Sequence, residues 1–183
     1  MDILNLTKSK ARTKILQLFF ADTQKRYYLR ELERLLGLSV GNIRRELIAL
    51  EKTSLFLREK QGNQVYYSLN KQAPIFEEFK KIISKTIGLE ANLKKELKKV
   101  EGIKQAFIFG SFAKGEEQSA SDIDLMIIGK VNEDLLIKKI SQLEFLLKRE
   151  INYHLFSETE WQKKFKTNSF LKAVVNGPKI KII

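Results

Sequence analysis

Apolar positions recur at helical spacing through the first part of the chain. Over residues 7–20 the spaced positions are Ala11, Ile15, Leu18 and Phe19, with Thr7 placed to cap a helix ahead of a basic first stretch. A second helix begins near Tyr28, carries Leu29, Leu32, Leu35 and Leu36 on one face, and stops at Gly37, a residue suited to the left-handed conformation that ends helices. Ser39 then caps a third helix with Ile43, Leu47 and Leu50 inward and Asn42, Arg44, Arg45 and Glu46 on the opposite face. After Leu55 the period changes to two. Phe56, Leu57 and Arg58 lead to a polar tip at Gly62-Asn63, and residues 65–69 return as the second strand of a hairpin. Residues 74–87, with Ile75, Phe76, Phe79, Ile82 and Ile83, predict one more helix.

Gly88 interrupts this pattern, and a helix resumes over residues 89–100 with Leu93 and Leu97 on one face, which places a domain boundary between residues 1–88 and 89–183. Residues 103–109 alternate as a strand that ends in Gly110-Ser111, ahead of a polar loop from Lys114 to Ser121. Residues 121–128 read as the next strand. A helix over 135–149, a strand over 151–156, helical pieces around Trp161 and Leu171, and a last strand over 179–183 complete an α+β chain of two domains.

Composition narrows the chemistry. With 183 residues, 43% of them hydrophobic, the chain can bury two small cores, and it has no cysteine, which excludes disulfides, thiolate zinc sites and cysteine nucleophiles. A reducing cytoplasm fits. No apolar run approaches the roughly 20 residues of a membrane span, and the Met1-Asp2 opening does not read as a signal peptide. The expectation is a soluble cytoplasmic protein with no membrane partner. The net charge of +12 favours a polyanionic partner. It divides as +8 over residues 1–88 (17 basic against 9 acidic) and +4 over 89–183 (17 against 13). Lysine-rich faces such as Lys94-Lys95 and Lys98-Lys99 also serve solubility, so charge alone does not decide.

Three helices and a basic hairpin in this order, over roughly residues 7–87, resemble the winged helix-turn-helix of repressors of the arsenical-resistance type. The stretch SVGNIRRELIALEKTSLFLREKQGNQVYYSLN carries the resemblance. It implies binding of double-stranded DNA and transcription regulation, with the third helix in the major groove and the hairpin on backbone or minor groove. The positions implied are Ser39, Asn42, Arg44 and Arg45 on the helix and Arg58, Lys60 and Asn63 on the wing. Thr53-Ser54 departs from the small residue and glycine usual at that junction. In similar repressors the helix matching residues 74–87 makes a homodimer, which implies half-sites roughly 34 Å apart.

Gly110-Ser111, ten residues, then Asp122-x-Asp124 matches the pattern of minimal nucleotidyltransferases related to the DNA polymerase β superfamily, over about residues 89–183. Glycine at a strand end lets backbone approach a phosphate, and serine adds a hydroxyl and an N–H. Two aspartates at period two on a strand share a face, where their repulsion is relieved by a divalent cation. The resemblance implies that Gly110 and Ser111, with Lys114, hold a nucleoside triphosphate, and that Asp122 and Asp124 hold Mg²⁺ and are catalytic. It also calls for a further carboxylate on a later strand. The aligned position is Asn152, an amide that cannot act as a base; Glu150 and His154 share its face but each lies one side-chain repeat away, about 7 Å.

Two functions stay open on these residues. One is a DNA-binding regulator that carries a Mg²⁺-nucleotide-binding domain. The other is an antitoxin-like enzyme that transfers a nucleoside monophosphate to a cognate partner protein or a small-molecule hydroxyl. Addition of nucleotides to a nucleic-acid end is a weaker third, since nothing resembles a template or primer clamp.

Overall fold

Ser9 opens the first helix, α1 (Lys10–Ala21), by accepting the Arg12 backbone N–H on its side chain. The expected cap, Thr7, lies outside the residues that the computed structural model describes, which are 9–115 and 121–183. These divide into two compact units, Met1–Gly88 and Leu89–Ile183.

In the first unit, strand β1 (Tyr27–Tyr28) leads directly into α2 (Leu29–Leu36). This strand is too short to show as an alternating pattern. Gly37, at φ 62°, stops α2, and its N–H donates to the Glu33 carbonyl at 3.0 Å. The predicted apolar face of α2 is narrower than expected: Leu32 is buried, but Leu35 is 45% exposed. Helix α3 (Val40–Glu51) buries Ile43, Leu47 and Leu50. Ser39 takes its N-cap position without a side-chain cap bond.

Glu46 corrects the reading of the outer face of α3, because it is only 8% exposed. Its carboxylate accepts from Ser9 Oγ at 2.7 Å and from Arg12 Nε at 2.8 Å, tying α3 to α1. Position 46 is three after Ile43 and four before Leu50, so it lies on the inner stripe despite its charge. Ser54, at φ 61°, adopts the left-handed backbone that a glycine would take without strain. Its carbonyl accepts from Asn70 Nδ2 at 2.9 Å.

Strands β2 (Phe56–Gln61) and β3 (Gln64–Leu69) pair antiparallel, with Gln61 opposite Gln64 across the two-residue turn. Gly62, at φ 60°, begins that turn. Among the described residues the sheet order is β1-β3-β2. Phe19 centres the core, its ring 5.0 Å from those of both Tyr27 and Phe56. Helix α4 (Phe76–Thr86) spends its apolar residues inside this unit: Phe76, Phe79 and Ile83 are buried, and Phe20 packs on the two phenylalanines. Outward it shows Glu77, Glu78, Lys81 and Lys85.

The second unit runs α5 (Leu89–Leu97), β4 (Ile103–Phe109), α6 (Gly110–Lys114), β5 (Ile123–Gly129), α7 (Glu133–Leu147), β6 (Ile151–Phe156), α8 (Glu158–Thr167), α9 (Ser169–Asn176) and β7 (Ile180–Lys181). Its strands are ordered β6-β5-β4-β7. β5 and β6 are parallel, which requires a crossover, and α7 supplies it. Asn132 caps α7 by accepting the Leu135 N–H at 3.0 Å, so the helix starts two residues before the expected position.

Period-two alternation divides the core between the two faces of this sheet. Ala106, Ile108, Ile123, Leu125 and Ile127 pack with Leu93 and Leu97 of α5 and Leu136, Ile140 and Leu143 of α7. Phe107, Phe109, Met126 and Ile128 pack with Trp161, Phe165, Leu171 and Val174 of α8 and α9. Asp124 shares the second face, two residues before Met126. No described helix is long and apolar enough to cross a membrane.

Candidate active site

Gly110, Asp122, Asp124 and Asn152 meet where β4 ends and β5 and β6 begin. Phe109 stands opposite Asp124 in the antiparallel pair, and Asp124 stands opposite Asn152 in the parallel one. The register therefore gathers residues distant in sequence onto one end of one face. Asp122 immediately precedes β5 and is exposed, whereas Asp124 is half-buried. The pair thus spans the edge of the sheet instead of lying wholly within the strand.

Gly110 has φ 72°, and a β-carbon built on it would lie 2.1 Å from Asp124 Oδ2 and 3.1 Å from Asp124 Cγ. The carboxylate fills the side of the turn where any other residue would place its side chain. Glycine is thus required both by the backbone conformation and by the close approach. α6 starts at this point, so the N–H groups of its first turn have no acceptor within the helix. Ser111 lies in that turn. Lys114 is in the last turn and exposed, not in a loop as expected; residues 116–120 of the predicted polar loop lie outside the described residues.

Burial raises the Asp124 pKa above the usual carboxylate value, the negative charge of Asp122 raises it further, and His154 opposes the shift. The acid is held where ionisation is disfavoured without a cation, the condition in which a divalent metal binds with most relief of repulsion. The all-oxygen donors of Asp122 and Asp124 suit Mg²⁺, which takes one or two carboxylates together with phosphate oxygens.

Asn152 Nδ2 donates to Asp122 Oδ2 at 3.2 Å. The position aligned with a third carboxylate thus carries a hydrogen-bond donor that orients the first aspartate. Among the described residues no group of three His, Cys, Asp or Glu is placed to hold a metal ion. The Glu150 carbonyl accepts the Ile123 N–H at 2.9 Å, a backbone role beside the site. The His154 ring lies 6.0 Å from Phe109 and 5.5 Å from Phe170.

Two residues at this site were not singled out from the sequence. Phe170, 44% exposed, extends the His154–Phe109 ring cluster from α9, and only tertiary packing brings it there. Arg149 Nη1 donates to the Ser121 carbonyl at 3.4 Å, and its guanidinium lies 5.8 Å from the Phe112 ring, linking the segment before Asp122 to α6. A basic residue following the crossover helix was the one available hint.

Residues 90–175 match the family model described as the nucleotidyltransferase domain. This part of the chain is a nucleotidyltransferase domain. A protein of Methanocaldococcus jannaschii described as a "Putative protein adenylyltransferase" is 42% identical over 59 residues, 32% of this chain and 66% of that protein. The match therefore spans just under two thirds of the relative. Among solved structures, a "toxin-antitoxin with AMP-PNP" is 17% identical, covering 51% of this chain and 72% of that one at a TM-score of 0.37. A "putative nucleotidyltransferase" of Sulfolobus solfataricus, also 17% identical, covers 51% and 74% at a TM-score of 0.28. The matched span contains Gly110, Ser111, Asp122 and Asp124.

The first unit presents the other candidates. Ser39 at the N-cap position and Asn42, Arg44 and Arg45 on α3 are all exposed, and Arg45 Nη2 donates to Asn42 Oδ1 at 2.9 Å. Arg58 and Lys60 are exposed on β2, and Asn63 at the hairpin tip. Arg26, not singled out from sequence, braces this hairpin: it donates to Gln61 Oε1 at 3.2 Å and lies 4.7 Å from the Tyr66 ring centre.

Proposed function

We propose that the nucleotidyltransferase domain binds a magnesium–nucleoside triphosphate and transfers its nucleoside monophosphate to a hydroxyl of a partner protein. The observation that carries this reading is the Asp124 carboxylate held against Gly110, at the start of α6 and beside Asp122. The likeness to the Methanocaldococcus jannaschii protein, described as a "Putative protein adenylyltransferase", supports a protein acceptor and an adenylyl group.

In this reading Asp122 and Asp124 hold Mg²⁺, which when bound neutralises charge on the phosphoryl oxygens and lowers the barrier to in-line displacement. Gly110 and Ser111 present backbone N–H groups and the Ser111 hydroxyl to the triphosphate, and Lys114 contributes positive charge toward the departing pyrophosphate. The exposed rings of Phe170 and His154 offer a stacking surface for the base. The acceptor oxygen bonds to the α-phosphorus as the bond to pyrophosphate breaks. Asn152 cannot take the acceptor's proton, which leaves to water, so turnover is slow.

The first unit is read as a winged helix-turn-helix that binds double-stranded DNA through Ser39, Asn42, Arg44, Arg45, Arg58, Lys60 and Asn63, as a homodimer in the cytoplasm. The element order, the exposed α3 face and the local charge of +8 support it. Asn152 favours a second reading, in which the nucleotide is bound and sensed without transfer and shifts operator affinity by binding one conformation better.

One titration separates these readings. The protein is titrated with Mg²⁺ and each nucleoside triphosphate, with pyrophosphate release assayed in parallel and Asp122→Ala/Asp124→Ala as control. Aspartate-dependent binding with release, and label from an α-labelled nucleotide on a partner protein, supports transfer. Binding without release supports sensing, and no binding overturns both. DNA binding is read separately, as log affinity falling with log salt at about −0.9 per phosphate neutralised; a flat response overturns it.

A further inference from the structure

The face of β4 that carries Phe109 beside Asp124 leads, in the other direction, to an opening that the nucleotide site does not use. Phe107 lies one side-chain repeat from Phe109 on that face, about 7 Å away. There it forms a wall of a cleft of about 400 Å³, which Trp161 and Phe165 of α8, Val175 of α9, Lys179 and Lys181 also line. The Trp161 and Phe165 rings stack with centres 6.1 Å apart, and the Phe107 ring meets Trp161 edge-on at 6.4 Å. Trp161, Phe165 and Val175 are only half-buried, which leaves apolar area that water disfavours. None of these six residues is among those gathered around Asp122 and Asp124.

The two lysines set the charge of this cleft. Lys181 stands opposite Phe107 in the antiparallel pair of β7 and β4, and opposed residues share a face. Its side chain therefore leaves the sheet on the face covered by α8 and α9. Lys179 lines the same cleft, and its Nζ donates to the Val175 carbonyl at 2.5 Å, which fixes the ammonium there with two further N–H donors. Among the described residues neither lysine makes a salt bridge. The surrounding chain supplies no acid either: residues 161–183 contain six lysines and no aspartate or glutamate. Ammonium groups beside apolar walls attract an anion more strongly than they would in open water.

We propose that this cleft binds a small amphipathic anion: an alkyl or aromatic body against Phe107, Trp161 and Phe165, and a carboxylate between Lys179 and Lys181. Charge complementarity selects that occupant, because a neutral apolar body would leave both ammonium groups without a partner. Apolar walls, a few convergent polar donors and a volume within the range of about 300–1,000 Å³ are what small-molecule sites offer. The site goes beyond the nucleotide and DNA readings and rests on neither.

Trp161 is the only tryptophan of the chain, so its fluorescence reports directly on the cleft. The full-length protein is titrated with dodecanoate, below its micellar concentration, and with phenylbutyrate, each beside its neutral methyl ester. At least one acid is expected to shift the Trp161 emission saturably, and its ester to bind about tenfold or more weakly. Lys179→Ala/Lys181→Ala, shown to be folded by circular dichroism, is expected to lose about tenfold for that acid and nothing for the ester. Damage to the cleft itself would weaken both alike. No saturable response to either acid overturns the proposal and leaves the cleft to a segment of a protein. Esters that bind as tightly as the acids, or a lysine variant that binds them as wild type does, overturn it equally. Competitive displacement of the acid by a magnesium–nucleoside triphosphate would assign the cleft to the nucleotide site and overturn it as well.

Discussion

The carboxylate of Asp124 occupies the space that a β-carbon would take at Gly110, with only 2.1 Å between that carbon and Oδ2. Strand pairing sets this approach, because Phe109, the residue before Gly110, stands opposite Asp124. Substitution at the glycine therefore acts directly on the aspartate.

Gly110→Ala is expected to displace Asp124 and to abolish Mg²⁺-dependent nucleotide binding. The left-handed backbone alone costs a non-glycine residue about 1–2 kcal/mol, so the urea midpoint should also fall. Calorimetric titration beside urea unfolding checks both effects. Unchanged nucleotide affinity in a folded Gly110→Ala protein would show that Asp124 is not the ligand.

Asp124→Asn should stabilise the metal-free protein at neutral pH. Burial and the Asp122 charge raise the Asp124 pKa. The folded state therefore holds that proton more tightly than the unfolded chain, and the group's contribution to stability declines as pH rises from about 4, the unperturbed value, through the folded pKa. Thermal unfolding should show the variant above wild type at pH 7, with the gap closing below about pH 4. Mg²⁺ with nucleotide should raise the Tm of wild type and not that of the variant.

Asn152→Asp restores a carboxylate beside Asp122, which now accepts from the Asn152 amide at 3.2 Å. In the presence of Mg²⁺ and acceptor, pyrophosphate release is expected to rise by about 10²–10⁴, the range for a positioned base. Without the cation the variant should be less stable than wild type, because a third negative charge joins two that already repel. A rate equal to wild type in the folded variant would argue for nucleotide sensing over transfer.

Ser54 lies in the left-handed region at φ 61° between α3 and β2. Ser54→Gly should relieve strain and raise stability by about 0.5–1 kcal/mol, net of the extra freedom that glycine gives the unfolded chain. Denaturant unfolding reads the change. A loss of stability would mean that the serine side chain contributes more than its backbone costs.

Local patterns were legible in the sequence. The period of apolar residues located most helices and strands, Gly37 marked the end of α2, and the Gly110-Ser111 to Asp122-x-Asp124 spacing pointed to residues that the fold brings together as a candidate site. These signals survive because they depend on neighbours in the chain: helix and strand repeats, and glycine's access to positive φ. Polar identity misled where tertiary pairing overrode it. Glu46 looks outward by charge, yet Ser9 and Arg12 of another helix supply its partners, and the carboxylate is buried.

The sequence by itself determined the two-part order of elements and the residue types at the candidate site. Tertiary structure alone decided which of them meet. Register across β4, β5 and β6 set Gly110 against Asp124 and bonded Asn152 to Asp122, and the packing of α9 brought Phe170 to His154. The physical reason is that chain-local preferences act over a few residues, whereas pairing between strands fixes distances between residues far apart in sequence.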